Sequence, residues 1–406
     1  MAKALLTPLK LGSITIRNRI GMAALTRNRA DAISATPNAL MKEYYMQRAV
    51  GGCGLMLAEG TLVTRQGSEW AQAPGIWSKE QIAAWKGIVD AVHTTETKMY
   101  CQASTQSTMA RRLTRNELSS YGTWGAAATP TRQNKSAQAW SFTLLTVKTQ
   151  PVYAPSAISA RGGKFRFIPG SPGYVTPTAI EDPTLLISLF KQAAINAKEA
   201  GFDGVELHGA NGYIVHEFLD STSNKRTDKW GGSVENRARF GLEVLKALVE
   251  VFGPDVAVKL SPAGGYNDMG MPLEETIETY NYFISEADKL GLSYFCLLRY
   301  LPIHDMFFDG KGRATQHDVI STFRPVIKNA KVFGNGGFTP AEAEEMVSAG
   351  TLDGVMFGIP YIAHPDLAKR VLHGKPLDNV PDFHTFYGDP SIPAEKGFTD
   401  YPTASY

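Results

Sequence analysis

The chain has 406 residues, 43% of them hydrophobic, and carries 41 basic against 39 acidic side chains. This near-neutral balance, without a basic run or aromatic–basic interleaving, argues against a nucleic-acid-binding protein. No apolar stretch approaches the ~20 residues of a membrane-spanning helix, and the N-terminus lacks the apolar segment of a signal peptide. Cys53, Cys101 and Cys296 lie far apart without metal-ligand spacing. They indicate reduced thiols, a cytoplasmic protein and no metal site.

The N-terminal part of the chain predicts a hairpin followed by strands and helices in alternation. Residues 9–17 alternate loosely around Gly12, which suits a short hairpin. The run at 54–58 is unbroken and apolar, as in a parallel strand buried on both faces. The elements predicted here are strands at 19–24, 54–58 and 99–102 and helices at 36–50 and 79–93.

The pattern fails between Gln102 and Pro151 and resumes after a Gly/Pro-rich loop at 162–177. Beyond it the sequence predicts strands at 202–207, 256–260, 293–297, 331–334 and 353–357, with helices at 182–200, 234–252, 273–290, 315–329, 340–349 and 365–372. Eight strands alternating with seven or eight helices predict one α/β domain over residues 1–406, a (β/α)8 TIM barrel with an N-terminal hairpin and an irregular excursion after its third strand. We expect the Pro-rich tail at 388–406 to be peripheral.

The end of the fourth predicted strand carries a concentrated set of reactive side chains. His208, Asn211 and Tyr213 follow one another within six positions, separated by Gly209 and Gly212. Glycine lets the backbone turn sharply and approach a ligand. A neutral imidazole and a carboxamide can together bind one ligand oxygen, and a phenol can supply a proton. The stretch therefore predicts an active-site floor, and its alternative is a helix start with a buried histidine and a core tyrosine.

The continuation of this stretch resembles a known family. The motif at 208–213, followed by the segments at 217–219, 223–228 and 230–237, is similar to the signature of the old yellow enzymes, which are FMN-dependent ene-reductases on a TIM barrel. The resemblance runs from about residue 5 to residue 387. It implies that His208 and Asn211 bind the carbonyl oxygen of the substrate and that Tyr213 protonates the α-carbon of the substrate as a general acid. It also implies that Tyr387 covers the substrate pocket, unless this is an ordinary surface aromatic.

The resemblance also implies an FMN site at the ends of the first, second, third and fifth strands. Thr26 would lie at the flavin O4 and Gln102 on the pyrimidine edge, although a surface strand end and a polar edge residue are the alternatives. The cation beside flavin N1 and O2 would be Lys259, where the family usually has Arg. Backbone contacts would come from Ala24, Leu25 and Gly60.

Two glycine turns match the family's phosphate site. The first, before a helix, is formed by Gly334, Asn335, Gly336 and Gly337; the second is Gly358. A helix N-terminus can bind an anion through its free N–H groups, whereas the alternative is a plain turn. Ile359 stands where the family usually has a phosphate-binding Arg. That departure removes a contact worth roughly 1.5–3 kcal/mol.

The implied activity is the reduction of activated alkenes with NADPH or NADH as co-substrate. The small-molecule partner would be an enone or a related activated alkene, and the protein would be a monomer or a homodimer without a nucleic-acid or membrane partner. Two alternatives remain. One is a chain derived from this family with impaired FMN binding, and the other is a flavin-free TIM-barrel lyase, for which Lys259 is the only credible strand-end lysine.

The segment at 103–150 departs from the family pattern. The family normally has an aromatic residue, commonly Trp, two positions after the glutamine, where this chain has Ser104. Residues 123–140, translated in a shifted frame, allow Val-Gly-Arg-Cys-Cys-His-Pro, which contains the missing Gly-Arg-x-x-His-Pro. We therefore expect an out-of-frame or retained-intron segment that leaves the barrel without catalytic residues and weakens FMN binding. The alternative is a genuine lineage-specific lid.

Overall fold

The computed structural model describes residues 4–66, 70–104, 151–162, 176–389 and 391–406. The expected excursion therefore lies, apart from residues 103–104, outside the described residues. Within the described part of the chain, no helix is both long and apolar enough to cross a bilayer.

An N-terminal hairpin precedes the barrel. Its strands, β1 (Leu9–Leu11) and β2 (Ile14–Ile16), pair antiparallel across the turn at Gly12, as the sequence predicts. The apolar side chains of the hairpin pack against residues that point into the barrel, including Leu55, Tyr100 and Phe333. The hairpin thereby closes one end of the barrel.

Eight parallel strands form a closed ring. Each pairs with its two neighbours, and the pairing of β4 (Leu55–Leu57) with β6 (Lys98–Ser104) completes the circle. A short strand, β5 (Thr61–Leu62), extends the pairing of β6. The ring contains β3 (Ile20–Met22), β4 (Leu55–Leu57), β6 (Lys98–Ser104), β9 (Gly204–Gly209), β10 (Val256–Leu260), β11 (Tyr294–Leu298), β14 (Lys331–Asn335) and β15 (Gly354–Phe357). The predicted TIM barrel is confirmed.

Two further strand pairs lie outside the ring, and helices surround it. The pairs are β7 (Tyr153–Ala154) with β8 (Thr178–Ala179) and β12 (Phe307–Phe308) with β13 (Lys311–Gly312). The helices are α1 (Ala39–Val50), α2 (Lys79–Val92), α3 (Thr184–Glu199), α4 (Ile214–Leu219), α5 (Val234–Phe252), α6 (Leu273–Asp288), α7 (Val319–Phe323), α8 (Pro340–Ser348), α9 (Ile359–Ala363) and α10 (Leu367–His373).

Capping side chains explain where several helices begin. Ser78 and Gln81 form a reciprocal capping box at the start of α2, and the Ser233 hydroxyl accepts a hydrogen bond from the Asn236 amide at the start of α5. Such caps satisfy N–H groups that have no partner within the helix. α5 then buries Phe240 and Val244 against the barrel, so its apolar face fixes its orientation.

The helix predicted over 315–329 is wrong in extent. α7 begins only after Asp318, whose side chain accepts a hydrogen bond from the Ser321 amide, and it ends at Phe323. A 3-10 turn, Arg324–Val326, follows. The α-helix ends early because Pro325 has no N–H to donate and cannot continue an α-helix.

The tail is packed against α1, although its Pro-rich composition suggested a peripheral segment. Phe398 is fully buried and stacks on Tyr44, with ring centroids 4.3 Å apart and planes within 5°. Three buried arginines donate hydrogen bonds to tail carbonyls: Arg27 to Gly397, Arg29 to Ala394 and Arg48 to Phe398. One aromatic anchor and a set of backbone acceptors therefore hold this segment in place.

Candidate active site

A cavity of about 460 Å³ opens at the carboxyl ends of the barrel strands. Active sites of TIM barrels lie at this end, and the volume is in the range of small-molecule and cofactor pockets. The sequence-predicted residues that line it are Ala24, Leu25, Thr26, Gly60, Gln102, His208, Asn211, Tyr213, Lys259, Asn335, Gly336, Gly337, Gly358, Ile359 and Tyr387.

Gly334 is the predicted site residue that the structure places away from the cavity lining. A Cβ atom built there would lie 2.6 Å from Leu352 and 2.9 Å from Phe338. Gly334 therefore faces the surrounding helices. Its missing side chain lets Leu352 and Phe338 pack closely against β14.

His208 reaches the cavity because side chains alternate along β9. Val205 and Leu207 point toward the outer helices, so Glu206 and His208 point into the barrel. The His208 Nδ1 is buried and has no hydrogen-bond partner among the described residues. Burial lowers the pKa of His208 well below 6.5, and the nearby charges of Lys259 and His216 lower it further. The imidazole is therefore neutral at neutral pH and can bind a ligand oxygen without adding a charge.

Asn211 is presented to the cavity by a tightly held turn. Its φ of +60° is left-handed, which asparagine tolerates better than most residues. Its backbone N–H donates to the Ser261 Oγ at 2.9 Å, and its carbonyl accepts from the Asn267 Nδ2 at 2.8 Å. The side-chain Oδ1 is buried without a partner among the described residues. The Oδ1 can therefore accept a hydrogen bond from a ligand, whereas binding a ligand oxygen would use the Nδ2 as the donor.

Tyr213 completes this side of the cavity. It is the residue immediately before α4 and is only 8% exposed. Its ring meets the imidazole of His208 edge to face, with centroids 4.7 Å apart and planes at 69°. The three side chains of the motif are thus brought together at one surface.

Thr26, Gly60 and Gln102 meet on another wall of the cavity. A Cβ atom built at Gly60 would lie 3.6 Å from the Gln102 Oε1 and 3.8 Å from the Thr26 Oγ1. The missing side chain therefore leaves both polar atoms accessible to a ligand. Lys259 pairs with His208 in the sheet register and is 7% exposed. Among the described residues that line the cavity, it is the only Lys or Arg.

Glu59 supports this wall and was not predicted as a functional residue. It is buried two residues after the end of β4, and its Oε2 accepts hydrogen bonds from the backbone N–H groups of Arg27 and Asn28 at 3.1 and 3.4 Å. It therefore holds the loop that follows Thr26. Burial raises the pKa of Glu59 to about 7, against the opposing effect of those hydrogen bonds. A carboxylate directly after a buried strand was the available signal.

The glycine turn after β14 forms a narrow backbone cradle. Gly336 and Gly337 have φ values of +110° and +69°, in the region that favours glycine. The Arg299 Nε donates to the Gly336 carbonyl at 2.5 Å, while its guanidinium pairs with Glu342. Arg299 thus holds the turn from outside the cavity. Ile359 lines the cavity and is 38% exposed.

Aromatic and apolar side chains from several loops surround the cavity mouth. Tyr387 stacks on Trp70, with centroids 4.4 Å apart and planes at 25°. Most of these residues could not be predicted from the sequence because the loops have no periodicity. The lining residues that were not predicted include Trp70, Ser104, Tyr266, Ile303, His304, Phe383 and Phe386.

The cavity fits FMN in its chemistry. Thr26, Gln102 and Lys259 give the lining a hydroxyl, an amide and an ammonium group, which suit the polar edge of a ring system. The glycine cradle offers backbone N–H groups that suit a phosphate, and His208 and Asn211, each with a buried polar atom that lacks a partner among the described residues, also line the cavity. A hydrophobic lining with a few placed polar groups is typical of a cofactor site.

Comparison with known proteins agrees with this chemistry. The profile of the NADH:flavin oxidoreductase / NADH oxidase family matches residues 4–378. The chain is 35% identical over 409 residues to the probable inactive reductase easA of Epichloe festucae var. lolii, covering 98% of this chain and 94% of that protein.

Solved structures show the same likeness. The old yellow enzyme homologue from Zymomonas mobilis is 29% identical with a TM-score of 0.81, covering 98% of this chain and 99% of that one. Morphinone reductase in complex with tetrahydroNAD is 33% identical with a TM-score of 0.79, covering 99% and 98%. The chain therefore belongs to the NADH:flavin oxidoreductase / NADH oxidase family, the old yellow enzymes.

Proposed function

We propose that this protein is an FMN-dependent oxidoreductase that uses NADPH or NADH to reduce the activated C=C bond of α,β-unsaturated carbonyl compounds. One observation carries the proposal: a single cavity brings together His208, Asn211, Tyr213, Thr26, Gln102 and Lys259. Family membership and the likeness to a morphinone reductase that binds tetrahydroNAD support it.

FMN, when bound, supplies a carrier that takes hydride from a nicotinamide and passes it to the alkene. Thr26 and Gln102 would hold the polar edge of its ring system. Lys259 would stabilise the negative charge that reduction places there, as a compact ammonium rather than a planar guanidinium. The phosphate would be held by backbone N–H groups around Gly336, Gly337 and Gly358.

His208 and Asn211 would bind the substrate through its carbonyl oxygen. Since the imidazole is neutral, both groups act as hydrogen-bond partners to an oxygen that gains negative charge as hydride reaches the β-carbon. Placed donors in a buried site stabilise such charge strongly. Tyr213 would then donate its phenolic proton to the α-carbon as a general acid.

We also propose a cytoplasmic location and a monomeric or homodimeric state. The three cysteines support the location, since all are buried and unpaired, as expected of a protein from a reducing compartment. Cell fractionation tests the location, and size-exclusion chromatography with light scattering tests the assembly.

The double variant His208→Ala/Asn211→Ala tests the ligand-binding assignment. We expect it to retain FMN and to lose kcat/KM for 2-cyclohexenone by at least about 100-fold, since even one lost oxyanion donor costs about that much. The matched control is His373→Ala/Asn236→Ala, which removes the same residue types outside the cavity. An unchanged kcat/KM in the first variant contradicts the assignment. A wild-type protein that binds FMN but turns over no enone favours an inactive member of the family.

A further inference from the structure

Glu206 is a buried carboxylate in the barrel interior, below the cavity lining. It is 1% exposed, and its neighbours Val205 and Leu207 point outward from β9. Its Oε1 accepts a hydrogen bond from the Gln102 Nε2 at 2.8 Å, and its Oε2 accepts one from the Tyr294 hydroxyl at 2.9 Å. Two donors on two oxygens are the pattern of an ionised carboxylate.

The sheet register explains how these groups meet. Gln102 pairs with Glu206, Glu206 pairs with Ala257, and Ala257 pairs with Tyr294 on successive strands. The four residues therefore lie side by side on the inner face of four successive strands. The small side chain of Ala257 leaves room for the Tyr294 hydroxyl to reach the carboxylate across β10.

The contact with Glu206 orients the Gln102 amide. A carboxylate accepts but does not donate hydrogen bonds, so the amide must turn its nitrogen toward Glu206. The Gln102 Oε1 is then directed to the Gly60 side of the cavity, 3.6 Å from where a Cβ at Gly60 would lie. Gln102 thus presents an acceptor, which suits the imide N–H on the polar edge of a flavin.

Glu206 also opposes the charge of Lys259. Lys259 follows Ala257 by two residues on β10 and pairs with His208 in the register, and both Glu206 and Lys259 are almost fully buried. Burial raises the pKa of Glu206, while the Lys259 charge and the two hydrogen bonds oppose the rise. Charges interact strongly in such a site because little water screens them.

We propose that Glu206 is a positioning residue that orients Gln102 and holds the reduction potential of bound FMN down by offsetting the charge of Lys259. The inference rests on the proposed FMN binding. Without Glu206, the cation acts unopposed on a ring system that gains negative charge on reduction. Reduced FMN should then bind more tightly relative to oxidised FMN.

Glu206→Gln tests this inference, since it keeps the shape and removes the charge. We expect the affinity for reduced FMN to rise about tenfold relative to the affinity for oxidised FMN. An effect of this order is reasonable for the removal of one opposing charge from a partly screened site. For a two-electron couple this is a midpoint potential about 30 mV more positive. Tyr294→Phe is the matched control, since it deletes the other hydrogen bond and leaves the carboxylate; its potential should move by less than half as much.

A second pair of variants covers the case in which Glu206→Gln does not fold. Lys259→Met leaves the carboxylate unopposed, and adding Glu206→Gln removes both charges. The double variant should have the more positive potential of the two. The inference is overturned if wild type and Glu206→Gln have equal midpoint potentials, or if Lys259→Met and the double variant do. A wild-type protein that binds no FMN instead contradicts the proposed function, so the two failures are distinguishable.

Discussion

Tyr213 owes its position to the two residues before it. Asn211 and Gly212 both have positive φ, and a Cβ atom at Gly212 would lie 2.7 Å from the Cβ of Asn267. The turn can therefore be formed only with glycine at this position, and it places the phenol edge to face against His208. A proton donor beside the two residues that we propose to bind the carbonyl oxygen is the arrangement that the proposed reaction needs.

Tyr213→Phe separates proton donation from the rest of the reaction. Because the ring and its packing are kept, we expect reduction of the bound FMN by NADPH at the wild-type rate. Reoxidation by 2-cyclohexenone should slow by about 10²- to 10⁴-fold, the usual contribution of general acid catalysis. Stopped-flow absorbance measures the two half-reactions separately. Equal slowing of both would show that Tyr213 has a structural role.

Substitutions of Ile359 test how the phosphate of FMN is held. No Lys or Arg among the described residues lines this end of the cavity, and Arg299 is engaged by Gly336 and Glu342 outside it. Ile359→Arg should therefore tighten FMN by about tenfold or more, as one charge-assisted contact of roughly 1.5–3 kcal/mol. Ile359→Gln controls for polarity without charge. If apoprotein titrations give the same Kd for Ile359→Arg and wild type, a cation supplied elsewhere already fills the role.

Two carboxylates that we propose to act through another residue, Glu59 and Glu206, could not be predicted from the sequence, in contrast to the motif after β9. His208, Asn211 and Tyr213 stand together in the chain, so their pattern was readable. Glu59 and Glu206 each lie in or beside an apolar strand as single carboxylates. Their partners come from other parts of the chain, Arg27 from the loop after β3 and Gln102 from β6. Only the closed barrel brings these groups together.

At the scale of elements, the strands were predicted more accurately than the helix ends. β10 (Val256–Leu260) and α5 (Val234–Phe252) have the predicted bounds, because an unbroken apolar run and a capped amphipathic helix are strong signals. α4 and α9 were not predicted, since each has only six residues or fewer and one is fused to the active-site motif. Short helices are set by tertiary packing rather than by sequence periodicity.

Glu59 ties the end of β4 to the loop after β3, and its titration should be visible in stability. Its pKa rises from 4.5 to about 7 on folding, so the folded state binds this proton more tightly than the unfolded chain. The free energy of unfolding should therefore fall as pH rises from about 4.5 to about 7, by about 3 kcal/mol from this residue.

Glu59→Gln removes this titration. Urea unfolding at pH 5 and pH 7.5 should show a smaller loss of stability in the variant than in the wild type. Glu96→Gln is the control, since the Glu96 side chain is 82% exposed. The same loss of stability in wild type and Glu59→Gln would contradict the assignment of a raised pKa to this carboxyl.

The whole molecule is a closed barrel whose two ends have different tasks. The N-terminal hairpin seals one end with apolar side chains, and the strand termini at the other end carry the candidate site. The fold was predictable because eight strand–helix repeats leave few alternatives. The packing of the tail was not predictable, because it depends on the single Phe398 and on carbonyl acceptors that have no sequence signature.

The interpretation of the segment at 103–150 as out-of-frame or retained-intron sequence stays a prediction. It is tested by sequencing the transcript. A message with an intact frame through this segment contradicts the interpretation.

The central claim is that the cavity binds FMN and passes hydride from a nicotinamide to an enone. The most direct test follows the visible spectrum of the protein after addition of FMN and desalting, in an anaerobic cuvette. We predict a flavin band near about 450 nm that bleaches on addition of NADPH or NADH and returns on addition of 2-cyclohexenone. A protein that retains no flavin band, or one whose bleached band does not return with the enone, would contradict the account.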